Sequence, residues 1–221
     1  MAFENRAEAG WLLARRLDEY RGHHPLVLAI PRGAVPMGKI VAEALSGELD
    51  VVLVRKLRAP HNPELAIGSI DETGAVYIDP VTRDVWNEAY LSTEKQTQLE
   101  LLRRRRQLYA PAGPPVDPAG RIVIVLDDGI ATGSTMVAAL RAVRARQPSK
   151  LIAATGVASA EALRLIRGEA DEVVCLETPD VLYAIGYHFR DFSQVSDEEV
   201  VATLQEARKP RRASEASGSG R

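Results

Sequence analysis

Ile122-Val-Ile-Val-Leu-Asp-Asp-Gly-Ile-Ala-Thr-Gly-Ser-Thr135 is the stretch on which the reading of this chain turns. An apolar run ends in two adjacent carboxylates, Asp127 and Asp128, and a tight loop of Gly, Thr and Ser leads into the amphipathic segment Met136 to Arg146. The run reads as a buried strand over 122–126, and the segment after the loop reads as a helix over about 135–146. Such a strand delivers carboxylates to the edge of a sheet. The loop delivers backbone N–H groups and hydroxyls to a helix N-terminus, where an anion is favoured. Carboxylates beside an anion cradle suit a sugar phosphate.

Within the loop, Gly129 and Gly133 permit a tight turn and close approach of the backbone to an anion. Thr132, Ser134 and Thr135 add hydroxyl donors. Hydrogen bonds to a charged group contribute about 1.5–3 kcal/mol each, and a helix terminus adds roughly 0.3–1 kcal/mol. No lysine follows Gly133, so the loop is not a P-loop, and a dinucleotide-binding glycine fingerprint is also absent from it. Asp127 and Asp128 can accept hydrogen bonds from two vicinal ribose hydroxyls, or hold Mg²⁺ through water or sugar oxygens. An acidic pair placed only to favour the helix dipole would not require an apolar strand feeding straight into a hydroxyl-rich loop.

The same grammar extends in both directions. Residues 4–21 carry a helical apolar stripe of Ala9, Leu12, Leu13 and Leu17. Leu26 to Ile30 reads as a first buried strand, Pro31-Arg-Gly-Ala34 as a turn, and Pro36 opens a helix to about Leu45. Val51 to Val54 reads as a second strand ending at Arg55-Lys56. Residues 57–75, punctuated by Pro60, Pro63, Gly68 and Gly74, read as a mobile loop or a small hairpin, with Val76 to Ile78 a further short strand. Ser92 to Tyr109 reads as a charged helix. Its run Arg103-Arg-Arg-Arg106 can touch phosphates, although Glu94 and Glu100 on the same helix favour a solvated face with local ion pairs. Strands over 151–154 and 172–176, with a helix over 159–168 between them, complete an alternation that predicts a parallel α/β sheet with helices on both faces. Ligands on such sheets bind beyond the carboxyl ends of the strands. Arg32, Arg55 and Asp127 all fall at such ends.

Composition bounds the function. At 221 residues the chain can bury one sizeable core, and a net charge of −2 supplies no global basic field for nucleic acid. The single cysteine, Cys175, lies in an apolar run and reads as a core residue, which excludes an internal disulfide framework. His23-His24 reads as a turn, with no third metal ligand near it in sequence. There is no signal-like apolar segment at the N-terminus and no apolar run of membrane-spanning length, so a cytoplasmic protein with no membrane partner is expected. Residues 207–221, rich in Arg, Lys, Ser and Gly, read as a disordered tail.

Ile122 to Thr135 resembles the PRPP-binding motif of the type I phosphoribosyltransferases: four apolar residues, two acids, a short Thr/Gly loop and a helix. A looser resemblance covers about residues 5–205. It implies a type I phosphoribosyltransferase-like core over 1–206, with an insertion at about 80–119 and a C-terminal hood at about 177–205. It implies that Asp127 and Asp128 face the ribose hydroxyls of PRPP and that Gly129 and Ala131 to Thr135 bind its 5-phosphate. Pro31-Arg32-Gly33-Ala34 is similar to the family's pyrophosphate loop, which often has an unusual peptide geometry and turns its amides toward pyrophosphate. Arg55-Lys56 is similar to the basic pair that several members place near pyrophosphate, sometimes across a dimer interface, so a homodimer is among the implied partners. Residues 57–75 take the place of the flexible loop that closes over the sugar and excludes water.

The implied reaction transfers the phosphoribosyl group of PRPP to a nitrogenous acceptor with Mg²⁺, with Asp127, Asp128, Arg32 and Lys56 as the catalytic set. Where the family's 6-oxopurine enzymes carry an aspartate, this chain has Ala131, which weighs against hypoxanthine or guanine as acceptor. Glu64, Asp71 and Glu72 are the loop acids available as a base. Tyr183 to Phe192 gathers four aromatics that form either a base-stacking hood or a packed cluster, and Arg190 within it is a candidate pyrophosphate ligand. The rival reading is a non-catalytic PRPP-sensing regulator of transcription or RNA. The near-neutral charge and the lack of an added DNA-binding segment weigh against it, and the Arg103–Arg106 run keeps it open.

Overall fold

Strands buried on both faces are continuous apolar runs, because helices cover each side of a parallel sheet. This is what the computed structural model, which describes residues 3–209, contains. β1 (Leu26–Ala29), β2 (Glu48–Val51), β6 (Ile122–Ile130), β7 (Lys150–Ala158) and β8 (Glu172–Glu177) form one parallel sheet in the order β2-β1-β6-β7-β8. Strand alternation divides its side chains cleanly. Val27, Ala29, Ile124, Leu126, Ile152 and Ala154 face a core shared with α1 (Arg6–Arg16), α2 (Ala34–Leu45) and α6 (Asp197–Ala207). Leu26, Leu28, Val123, Val125, Leu151 and Ala153 face a second core built with α4 (Ser134–Arg144) and α5 (Ala160–Ile166). Helices therefore flank both faces, as expected.

Strand order fixes where a ligand can enter. From β1 the chain winds outward to β2, and from β6 it winds the other way to β7 and β8. The loops after β1 and β6 therefore diverge and leave a crevice between them, the switch point at which doubly wound sheets bind ligands.

A second, smaller sheet stands over this core. β3 (Val54–Ala59), β4 (Asn62–Asp71) and β5 (Val76–Ile78) are antiparallel in the order β3-β4-β5. It packs between α4 and the long helix α3 (Glu88–Tyr109), with Leu57, Ile67 and Ile70 buried. Of the two alternatives for 57–75 the hairpin is the one found, in the place that the resemblance gives to the family's flexible loop.

Four other expectations change. The predicted strand 51–54 is two strands in two sheets; Val52 and Leu53 are buried at the crossing, so apolar continuity hid the transfer. Arg55 and Lys56 accordingly lie within β3 rather than at the end of a core strand. β6 does not stop before the acids but carries them, and Gly129 and Ile130 still pair with Val157 and Ala158. The first helix ends at Arg16 and not at 21, a short 3₁₀ turn at Asp18–Tyr20 completing the segment. The segment expected to form a hood runs into α6, which begins at a capping box where Glu199 N–H donates to Ser196 Oγ at 3.1 Å and Ser196 N–H to Glu199 Oε2 at 2.6 Å. α6 reaches Ala207; of the expected 207–221 tail, residues 210–221 lie outside those described. Among the described residues, no helix is long and apolar enough to cross a membrane.

Candidate active site

β6 brings the acids to the crevice. Adjacent strand residues point to opposite faces, so the pair straddles the strand. Asp128 turns to the α1 side, where Arg6 Nε donates to its Oδ2 at 2.8 Å. Asp127 is half-buried, and its Oδ1 accepts the Asp128 backbone N–H at 2.9 Å. Burial, and next the charge of Asp128, push the Asp127 carboxyl well above the usual carboxylate range; the Asp128 N–H and Arg6 pull the other way.

Arg6 was not found from sequence. Its Nη1 donates to Ser193 O at 2.7 Å and its guanidinium lies 3.8 Å from the centre of the Phe192 ring, so one side chain ties α1, the acids and the hood together. The available signal was local: a basic residue in the first turn of a helix opposes the macrodipole and needs a partner elsewhere.

The turn after β1 closes on the same acid. The Pro31–Arg32 peptide is cis, the unusual geometry that the resemblance implied. Gly33 has an ordinary helical φ of −57°, so conformation is not its constraint. Space is: a Cβ there would overlap Asp128 Oδ2, with Asp128 Cγ at 3.0 Å and Arg6 Nη2 at 3.2 Å. Arg32 is partly exposed and lies 3.6 Å from Asp197 at the start of α6.

On the other side of β6, Gly133 has φ +80°, the left-handed region that favours glycine, and serves as N-cap of α4 without a side-chain cap bond. The first N–H groups of α4 are thus left for another acceptor. Thr132 is exposed, Ser134 and Thr135 are half-buried, and Ala131 O is held by Ser159 Oγ at 2.7 Å. Gly129 is required for a different reason, since a Cβ would overlap Ile185 of the hood.

Arg55 and Lys56 flank the start of α4. Arg55 lines a pocket with Pro31 and Thr135, and Lys56 lines a neighbouring cleft with Ser134 and Arg141. Arg190 is not brought here: its Nη1 pairs with Glu4 Oε1 at 2.6 Å on the exposed surface, which corrects its assignment as a pyrophosphate ligand. Two of the loop acids are structural. Asp71 accepts from Thr73 N, Thr73 Oγ1 and Ala75 N, and Glu72 pairs with Arg106 at 2.5 Å. The side chain of Glu64 is not among those described. The aromatic segment splits: buried Phe189 lies tilted against Phe3 with ring centroids 5.2 Å apart and stacked on the half-buried Phe192 at 4.9 Å, while Tyr183 and Tyr187 are exposed.

No group of three or more metal-ligating side chains occurs among the described residues. The two acids alone fit Mg²⁺ in one manner. This hard cation keeps several non-protein oxygens and takes one or two carboxylates, and Asp128 has one oxygen already committed to Arg6.

A parallel sheet with a switch-point crevice, a turn after β1 pressed on a strand-borne acid, and an anion-ready helix start after β6 define a phosphoribosyltransferase-type architecture. A family model described as "Phosphoribosyl transferase domain" matches residues 4–190, and the chain belongs to that family, as a type I member. Two proteins of Mycobacterium tuberculosis, from strains CDC 1551 / Oshkosh and H37Rv, each named provisionally as a phosphoribosyl transferase, are 41% identical over 209 residues. That alignment covers 94% of this chain and 47% of theirs, so the chain spans about half the length of the curated relatives it matches. The crystal structure of TT1426 from Thermus thermophilus superposes with a TM-score of 0.87 at 42% identity, covering 93% of this chain and 99% of that one.

Proposed function

We propose that this protein transfers the phosphoribosyl group of PRPP to a nitrogenous acceptor in the cytoplasm, releasing pyrophosphate. The observation that carries the reading is the contact between two loops from different strands: Gly33 lies so close to Asp128 that no side chain fits between them. A diphosphate on the β1 loop and a ribose on the β6 acids would then be neighbours, as they are in PRPP.

In this reading the 5-phosphate sits on the N–H groups and hydroxyls of Gly129 and Ala131 to Thr135. Asp127 and Asp128 accept from the ribose hydroxyls and lie beside the positive charge that develops on the ring as the C1–pyrophosphate bond breaks. Arg32, Arg55 and Lys56 stabilise the departing diphosphate, with the Gly33 amide beside it. Asp127 and Asp128 would hold Mg²⁺ brought in with PRPP, and the ion would supply charge neutralisation for the leaving group. Ordered β3–β5 over the start of α4 limits water and hence wasteful hydrolysis.

The test is calorimetry with PRPP and Mg²⁺, followed by pyrophosphate detection across purines, pyrimidines and other amines. Saturable binding, and pyrophosphate release with one acceptor class, are expected. Absence of heat at millimolar PRPP overturns the reading, and binding without turnover in the presence of every acceptor converts it to PRPP sensing.

A further inference from the structure

The four arginines of α3 have four different surroundings. Arg103 is exposed. Arg104 pairs with Glu100 one turn back, a solvated pair with both side chains more than three-fifths exposed. Arg106 is spent on structure, bonded to Glu72 at 2.5 Å and 3.7 Å from the buried Asp50. Arg105 is half-buried and, among the described residues, makes no hydrogen bond or ion pair. It lines a pocket of about 80 Å³ with Ile30, Pro31, Val54, Arg55 and Thr135.

That pocket has an unbalanced charge. Arg55 reaches it from β3, and among the described residues the hydrogen-bond partner of its side chain is a neutral one, Gln98 Oε1 at 2.5 Å. Burial first, and then the positive charges of Arg58 and Arg105, lower the Arg55 pKa, with Glu94 opposing. One turn along α3 from Arg105, Tyr109 feels Arg105 and Arg32 together, while its hydroxyl donates to Asp197 at 2.8 Å. Two half-buried guanidinium groups lining one pocket, neither of them in an ion pair among the described residues, favour an anion. Their pocket opens against Pro31, at the head of the turn to which the proposed function assigns the diphosphate.

We propose that the insertion helix α3 is a substrate-binding element, and that Arg105 with Arg55 forms a subsite for the diphosphate group of PRPP and for free pyrophosphate. This rests on the proposed function and goes beyond it, since it assigns part of the site to a segment outside the shared core. The chemistry is a fork of N–H donors on phosphoryl oxygens, which a lysine reproduces in charge but not in geometry.

The experiment titrates ribose 5-phosphate and Mg²⁺–pyrophosphate separately into the full chain, comparing the native protein with R105Q, R105K and, as a control from the same helix, R104Q. Loss of one charge-assisted contact predicts pyrophosphate binding about tenfold weaker in R105Q, with partial recovery in R105K. Ribose 5-phosphate affinity is expected to be unchanged, and R104Q to match the native protein. The inference alone is overturned if the native protein binds both ligands and R105Q, or R105K where R105Q does not fold, holds pyrophosphate within about twofold of native. If the native protein binds neither ligand, the proposed function fails and takes this subsite with it. Thermal melts of each variant separate lost contacts from lost folding, and a poorly folded R105Q leaves the decision to R105K.

Discussion

The crevice between β1 and β6 and the small sheet β3–β5 meet at the start of α4, yet they are built differently. The crevice is made by backbone: a cis turn, a left-handed Gly133, uncapped N–H groups, and a glycine pressed on an acid. The sheet is held by side chains from elsewhere, with Arg106 clamping Glu72 and Asp50, and Asp50 also accepting from Val116 N at 2.7 Å and lying 3.3 Å from Arg208. Backbone sites tolerate drift in sequence except at glycine. Side-chain clamps fail when one member is removed.

That contrast can be broken most forcefully at Arg106. Arg106→Ala removes the charge partner of Glu72 and one of the two that the buried Asp50 has, leaving it Arg208 at 3.3 Å, and a destabilisation of roughly 3 kcal/mol is expected. Hydrogen exchange should rise first over 54–78, and equal rises in β1 and β6 would show that the two regions unfold as one. Asp128→Asn comes next. It strands the nearly buried Arg6, so a stability loss of roughly 1–3 kcal/mol should accompany weaker PRPP binding. Denaturant unfolding alongside calorimetry reads both, and native stability with native affinity would remove Asp128 from the site. Gly133→Ala forces an alanine into the left-handed region with its Cβ 3.3 Å from Ala162, and about 1–2 kcal/mol is expected together with loss of 5-phosphate affinity. A variant that binds ribose 5-phosphate normally would mean that the α4 turn is not the cradle.

The smallest effect concerns pH, at a site remote from both regions. Hydrogen bonds from Arg144 and from Leu151 N–H hold the Asp171 carboxyl below its usual range. A depressed folded pKa gives stability that is present above the unfolded value and is lost as pH falls toward the folded one. Since Asp171 is 41% exposed, solvent screening keeps the contribution under about 1 kcal/mol, lost below about pH 4. Asp171→Asn should flatten the acid limb of stability over that window, and an unaltered limb would assign it to other carboxylates.

The crevice was legible because its signals are local. Five apolar residues before two acids, glycines at the turns, and hydroxyls at a helix start each carry meaning within a few positions. The clamps were not, because their logic is long-range: in the crevice Arg6 meets Asp128 across 122 residues, and at the small sheet Arg106 meets Glu72 across 34. The crossing at Val52-Leu53 left no polar mark, since both residues stay buried in passing between sheets. The α6 start was readable and missed: Ser196 followed by Glu199, then Val200 and Leu204 at helical spacing, is a capping-box signature. Arg190 erred the other way, a local likeness that Glu4 had already claimed.

Because β3 and β4 pair with one another and pack between two helices, much of the chain entropy that an unstructured lid surrenders on capture is spent in forming the fold. Recognition should therefore resemble a key entering a fixed keyway, with arrival rates governed by access to the slot beside α4 rather than by the time a lid needs to find its shape.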